Sequence, residues 1–242
     1  MVPHTAPQSD DPRPVVPDWN ARPSCRATLT EGRTVRLEPF DGDRHATDLW
    51  TELGGAAGPE AANDRIRWFG WPRLSGPEGL TEILDGFATR EGWSTSAIVV
   101  NGRTAGMASY MDEDAASGAV EIGAIAHGAG LARSASSTEA HYLLMRRAFD
   151  LGYRRYAWRC DDANRASKRA AVRLGFTHEG TWRQHAVKHG RNRDTAWFSI
   201  LDREWPDRRA HLERWLDPSN FDAEGMQIMG LNAVLAAAGR TE

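Results

Sequence analysis

The chain has 242 residues, a formal net charge of -3, 40% hydrophobic and 26% charged side chains, and two cysteines. That length is enough for one large domain or two small ones around a substantial core, and the near-neutral balance argues against a dedicated nucleic-acid or membrane-surface protein. Cys25 and Cys160 alone make neither a disulfide framework nor a cysteine-rich zinc site. The N-terminus has no basic region followed by an apolar stretch, and no run approaches the roughly 20 apolar residues of a membrane span, so a cytoplasmic protein with no membrane partner is expected.

Residues 1–27 carry six of the twelve prolines and read as a flexible or surface-draped arm. Ordered structure is expected from 28 to 216, with 217–242 as a peripheral tail. In "GRTVRLEPF", Val35 and Leu37 alternate with Arg36 and Glu38, as in a half-buried strand. Helices are predicted over 43–53 and 78–90, the second with Leu80, Ile83, Leu84 and Phe87 on one face. Between them lies the aromatic, turn-like "IRWFGWP". From residue 94 the period changes to two. "STSAIVV" and "TAGMASYM" flank Asn101-Gly102, a pair suited to the positive φ angles of a type I′ hairpin turn. "GAVEIGAIA" is the next strand.

A long helix follows over 137–151, with Ala140, Leu144, Ala148 and Leu151 on one face, capping-box spacing between Ser136 and Glu139, and Gly152 as its stop. "RRYAWRC" is a strand. In "DDANRASKRAAVRLGF", Asn164 is placed to cap a short helix, Ala170, Ala171 and Leu174 form its apolar stripe, and Gly175-Phe176 closes it. Strands over 176–188 and 193–201 join across "HGRN". The order β-α-α-β-β-β-α-β-α-β-β predicts an α+β protein of mixed layers, a central mixed sheet flanked by helices.

Three stretches carry candidate chemistry. The loop "HGAGLARSASSTEA" feeds a helix N-terminus, where unpaired N–H groups and the macrodipole favour an anion, and its small residues let a phosphate approach the backbone. The pattern is neither G-x-G-x-x-G nor a P-loop, and a plain helix cap is the alternative. His127 faces the same loop, either as a phosphate contact or as an ordinary histidine. His185 and His189, four apart on a strand or turn, do not converge on an ion, and no metal site is expected. "RASKRAAVR" lacks interleaved aromatics and reads as a solvated helix face rather than an RNA surface.

The order of strand "EIGAIA", anion-type loop, long helix, strand "YAWRC", N-x-x-S helix, "LGF", "EGTWRQ" and "GRNRDTAWFSILDREW" resembles the GNAT acyltransferases, in particular the RimJ/RimL-type branch. The resemblance covers about residues 31 to 216 and is strongest from Thr138 to Trp205. That branch commonly reads Q-R-x-G-x-x-T-E-A at the loop-helix junction. Here Arg133 and Thr138-Glu139-Ala140 match, while Ala132 and Ala135 replace the usual Gln and Gly.

The resemblance implies a GNAT fold and an N-acetyltransferase that uses acetyl-CoA as co-substrate. It implies cofactor contacts at Ile122, Gly123 and Ala124, at Arg133, Ser134, Ala135, Ser136, Ser137 and Thr138, and at Asn164 beside the pantetheine arm. Ser167 would lie near the sulfur and serve as acid toward the leaving thiolate, while the N–H groups near Gly123 and Ala124 steady the oxyanion. Glu121 is the candidate base and Asp161 the reserve, more simply a structural Asp before a helix. Trp68, Phe69 and Trp71 would wall the acceptor, or only pack under their loop. Direct attack in a ternary complex is expected, since no cysteine is placed for an acyl-enzyme. The acceptor is a small-molecule amine or amino acid, or else a peptide N-terminus as in ribosomal-protein acetylation. A catalytically idle acyl-CoA-binding module is the competing class, and a homodimer is left open.

Overall fold

A computed structural model describes residues 14–232 of the chain. The first thirteen residues of the expected arm and the last ten of the expected tail lie outside the described residues. The short strand β1 (Thr30–Glu31) and β2 (Arg36–Pro39) open the fold. Three helices follow: α1 (Gly42–Glu52), α2 (Pro59–Ile66) and α3 (Pro77–Ala88). The strands β3 (Ser94–Val100), β4 (Arg103–Asp114) and β5 (Ala119–His127) come next. Then α4 (Ala135–Asp150), β6 (Arg155–Asp161), α5 (Arg165–Arg173), β7 (Thr177–Lys188), β8 (Arg191–Leu201) and α6 (Trp205–Leu216) complete the chain order.

The strands form one eight-stranded sheet in the order β1-β2-β3-β4-β5-β6-β8-β7. Every neighbouring pair is antiparallel except β5 and β6, which α4 connects as a crossover. One apolar cluster joins α4, α5 and α6 to Tyr110, Ile122, Tyr156, Trp158 and Phe198 on one sheet face. A second joins α1, α2 and α3 to Met107 and Ala126 on the other. This second layer covers only the β2–β5 side, so the opposite end of that face is left without a helix.

The expected elements form, with four corrections. The sequence order omits α2, which has only Ala62 and Ile66 as buried apolar residues and starts at Pro59 after Gly58. It also omits α6, whose buried residues Trp205, Leu212 and Trp215 are too sparse for a clear stripe. The cap of α4 is Ser134, which accepts from the Ser137 N–H, so the helix starts two residues earlier than the Ser136 capping box implied. Glu139 does not return to that cap. Its buried carboxylate accepts from the backbone N–H groups of Arg33 and Thr34 and from the Thr34 hydroxyl, tying the β1–β2 turn to α4. The hairpin turn behaves as expected, with φ of 49° at Asn101 and 78° at Gly102. Residues 19–25 lie against the β4–β5 end: Trp19 Nε1 donates to Ala116 O at 2.7 Å, and the Cys25 N–H donates to Glu113 at 2.7 Å.

A cleft between two diverging strands

Strands β5 and β6 pair only from Ala119–Arg155 to Ile122–Trp158. Beyond Ile122 the ladder stops and the two strands separate. On its other edge β5 carries a bulge. Met107 pairs with Ala126 and Ser109 with Gly123, so Ala124 and Ile125 together face the single residue Ala108. Ala124 takes φ of 46°, the left-handed conformation such a bulge demands of one residue. The bulge and the divergence open a cleft of about 2350 Å³ along the ends of β5, β6, α4 and α5.

One end of the cleft is built from local capping chemistry. The loop after β5 begins with N–H groups already engaged: Gly128 with Ala105 O, Ala129 with Glu52 O and Gly130 with the Glu52 carboxylate. Ser134 then caps α4, with its Oγ also donating to Leu131 O at 2.7 Å. Among the described residues the N–H groups of Arg133, Ala135 and Ser136 find no partner, and they gather at the positive end of a 16-residue helix. Arg133, in the left-handed region with φ of 63°, is exposed beside them. Thr138 is buried and accepts from Arg173 of α5 at 2.9 Å. The Ser136 hydroxyl points elsewhere, to Thr34 Oγ1 at 3.0 Å, so only its backbone serves the loop.

Across the gap, Asn164 caps α5 by accepting from the Ser167 N–H at 3.1 Å. The helix ends as the sequence implied. Gly175 has φ of 94°, and the Phe176 N–H reaches Ala171 O at 3.1 Å. Ser167 is half-buried, and its Oγ accepts from Trp158 Nε1 at 3.0 Å. The hydroxyl proton is thereby left to donate. Burial pushes the Cys160 thiol up, the wrong direction for a nucleophile.

The other end is assembled across strands. Glu121 is 5% exposed, and its Oε2 lies 3.1 Å from Arg159 Nε. The same guanidinium meets Asp112 Oδ2 at 2.7 Å, while Asp112 Oδ1 accepts from Trp93 Nε1. Burial raises the Glu121 pKa to about 8, against the pull of Arg159 and Arg193. The raising effect wins because burial penalises the charged form more than Arg159 favours it, and the nearby Asp112 charge adds to the rise. Trp68, Phe69 and Trp71 line this end. Phe69 and Trp71 also pack edge-to-face with ring centroids 4.7 Å apart, continuing through Phe87 to Trp93.

The remaining candidates separate. Asp161 lines the cleft but accepts from the Ala163 N–H at 2.9 Å, the turn before a helix. His127 stands 5.3 Å from His141, and burial lowers its pKa to about 4, so it is neutral and brings no charge to the loop. His185 Nδ1 is hydrogen-bonded to Thr195. Among the described residues no cluster of histidine, cysteine or carboxylate side chains could hold a metal, and no helix is long and apolar enough to cross a membrane. The sequence reading missed Trp158, Arg159, Asp112, Arg193 and Lys188. Only Trp158 and Arg159 had a signal, their strand alternation with Cys160.

Residues 35–177 match the model of the acetyltransferase (GNAT) domain. A crystal structure of a GCN5-related N-acetyltransferase from Brucella melitensis is 39% identical, with a TM-score of 0.84 over 90% of this chain and 99% of that one. Two more distant structures share the fold. One is the microcin C7 self-immunity acetyltransferase MccE, in complex with acetyl-CoA and AMP, at 21% identity and a TM-score of 0.59, covering 70% of this chain and 93% of that one. The other is RimL, the ribosomal L7/L12 alpha-N-protein acetyltransferase, at 20% identity and a TM-score of 0.61, covering 72% and 93%. No curated protein matches the chain.

Proposed function

The chain belongs to the GNAT family and is an acetyl-CoA-dependent N-acetyltransferase, and from that premise we propose that its acceptor is a small primary amine acetylated by direct attack in a ternary complex. The observation that carries the small acceptor is a bridge over the acceptor end. Lys188, at the end of β7, lays its stem on the loop between α2 and α3, where a Cβ on Gly70 would come within 3.1 Å of Lys188 Cδ. With Trp68, Phe69 and Trp71 on the same loop, this contact narrows the acceptor end, which supports a small acceptor over a peptide.

The residues fit the co-substrate. The free N–H groups of Arg133, Ala135 and Ser136, with Ser134, Ser137 and Thr138 around them, offer donors to a pyrophosphate, and Arg133 adds charge. The gap between β5 and β6 accepts an extended arm, since strand edges there lack ladder partners and present N–H and C=O groups. Asn164 stands at its α5 wall.

In the proposed reaction Glu121, as carboxylate, takes a proton from the acceptor ammonium, and its raised pKa matches an amine whose reference value is near 8. The Gly123 and Ala124 backbone, with the bulge holding Ala124 out of register, directs N–H groups at the developing oxyanion. Ser167 donates its proton toward the departing sulfur. The indole N–H on its oxygen makes that hydroxyl a better donor than a free serine. Burial keeps Cys160 a thiol, consistent with transfer without an acyl-enzyme.

The test is thiol release from acetyl-CoA across a panel of small amines, amino acids and N-terminal peptides. Turnover of small amines is expected. Turnover confined to peptides would overturn the small-acceptor reading in favour of protein N-terminal acetylation.

A further inference from the structure

The acceptor end of the cleft contains a cation that the proposed chemistry leaves idle. Arg193 stands on β8 two residues before Thr195, on the sheet face that presents Trp197 and Arg159. It lines the same cleft as Glu121 and Arg159. The other strand arginine that lines the cleft, Arg159, is held by Glu121 and Asp112. Arg193 meets no carboxylate within ion-pair distance among the described residues, and its Nε is buried without any hydrogen-bond partner.

An orphaned guanidinium N–H inside a cleft is costly, and folding alone gives no reason for it. A solvated surface arginine does not explain it either, because the Nε is shut off from water. Lys188, on the neighbouring strand and lining the same wall, likewise has no carboxylate partner among the described residues. Arg90, at the rim, is spread over Phe87 and Trp93. Of the acidic side chains that line the cleft, Glu121 is held by Arg159, Asp64 by Arg67 and Asp161 by the Ala163 N–H, while Glu78 and Glu82 stand on α3. The β8 wall is therefore cationic and unmatched.

We propose that the acceptor is a primary amine that also carries an anionic group, a carboxylate or a phosphate, and that Arg193 binds that group. This rests on the small-amine reading above. A planar guanidinium suits a carboxylate or phosphate through paired N–H donors. The arrangement also positions the nucleophile: with its anion on Arg193, the amine lies toward Glu121. Nearby Arg159 lowers the amine's own pKa and eases the proton transfer.

The experiment compares matched acceptors that differ only in the anion: an amino acid with its amide, and an aminoalkyl phosphate with its amino alcohol. Rates are taken on the high-pH plateau, so that a shift in Glu121 ionisation does not intrude. The wild type is expected to favour the anionic member of at least one pair, and the preferred pair tells carboxylate from phosphate. Arg193→Gln should lower kcat/KM for that member by roughly 10- to 100-fold, mainly through KM, and leave its neutral partner nearly unchanged. Arg193→Lys should restore part of the loss, which a merely structural arginine would not show. Equal use of both members by the wild type, or an equal loss for both in Arg193→Gln, would overturn the anion site while leaving the small-amine reading intact. Turnover of peptides alone would instead remove the small-amine reading, and this inference with it.

Discussion

The two ends of the cleft are built by different means. The cofactor end is made of helix starts: Ser134 caps α4, Asn164 caps α5, and the donors offered to a ligand are backbone N–H groups that any sequence of small residues could present. The acceptor end is made of side chains from separate strands, Asp112 from β4, Glu121 from β5, Arg159 from β6 and Arg193 from β8. Backbone donors are rigid and chemically uniform, which suits a cofactor that does not change. Side chains drawn from several strands can be exchanged singly, which lets the acceptor differ between proteins of one fold. Acetyl-CoA binding should therefore be lost at one end, and acceptor binding and chemistry at the other.

The largest effect is expected at Glu121. Glu121→Gln keeps the volume and removes the base, and kcat/KM should fall by about 10²- to 10⁴-fold. The pH profile gives the sign. Only the carboxylate form accepts a proton, and burial raises its pKa to about 8, so wild-type kcat/KM should climb with pH and level off above that value. In Glu121→Gln that ascending limb should vanish; a variant that keeps it would assign the limb to another group. A smaller loss, about 10- to 100-fold, is expected for Ser167→Ala, since water can replace part of a hydroxyl's role. Steady-state kinetics should show kcat and kcat/KM falling together, with KM for acetyl-CoA and the melting temperature little changed. Full activity would return Ser167 to a helix residue that only accepts from Trp158. Trp158→Phe, which removes the indole donor but keeps a ring, should lower kcat less than Ser167→Ala does. The smallest catalytic effect belongs to Asn164→Ala. It removes a cap worth about 1 kcal/mol, read by thermal melting, and weakens acetyl-CoA binding, read as a raised KM.

What could be read in the sequence follows the same division. The α5 cap, its Gly175 stop and the small-residue loop before α4 were legible because capping depends on residues three or four apart. Even there the reading slipped by two residues, since Ser134, Ser136 and Ser137 compete for one role and only Ser134 has the extended backbone of a cap. Glu121 was a candidate from its strand position, but its shared partner Arg159 was not, because β6 register is set by a crossover of 27 residues, 128–154. The gap between β5 and β6 had no local signature at all. Neither did the unmatched state of Arg193, which is known only once every carboxylate around it has been placed. Helix α6 was missed for a simpler reason: Trp205, Leu212 and Trp215 bury at wide spacing within a charged stretch.

Separation of the two ends is most directly tested by titrating acetyl-CoA calorimetrically into wild type and Glu121→Gln, with acetyl transfer measured on the same samples. Equal acetyl-CoA affinity is expected in the two proteins, with transfer collapsed only in the variant. Loss of acetyl-CoA affinity in Glu121→Gln, or transfer that survives undiminished, would contradict that separation.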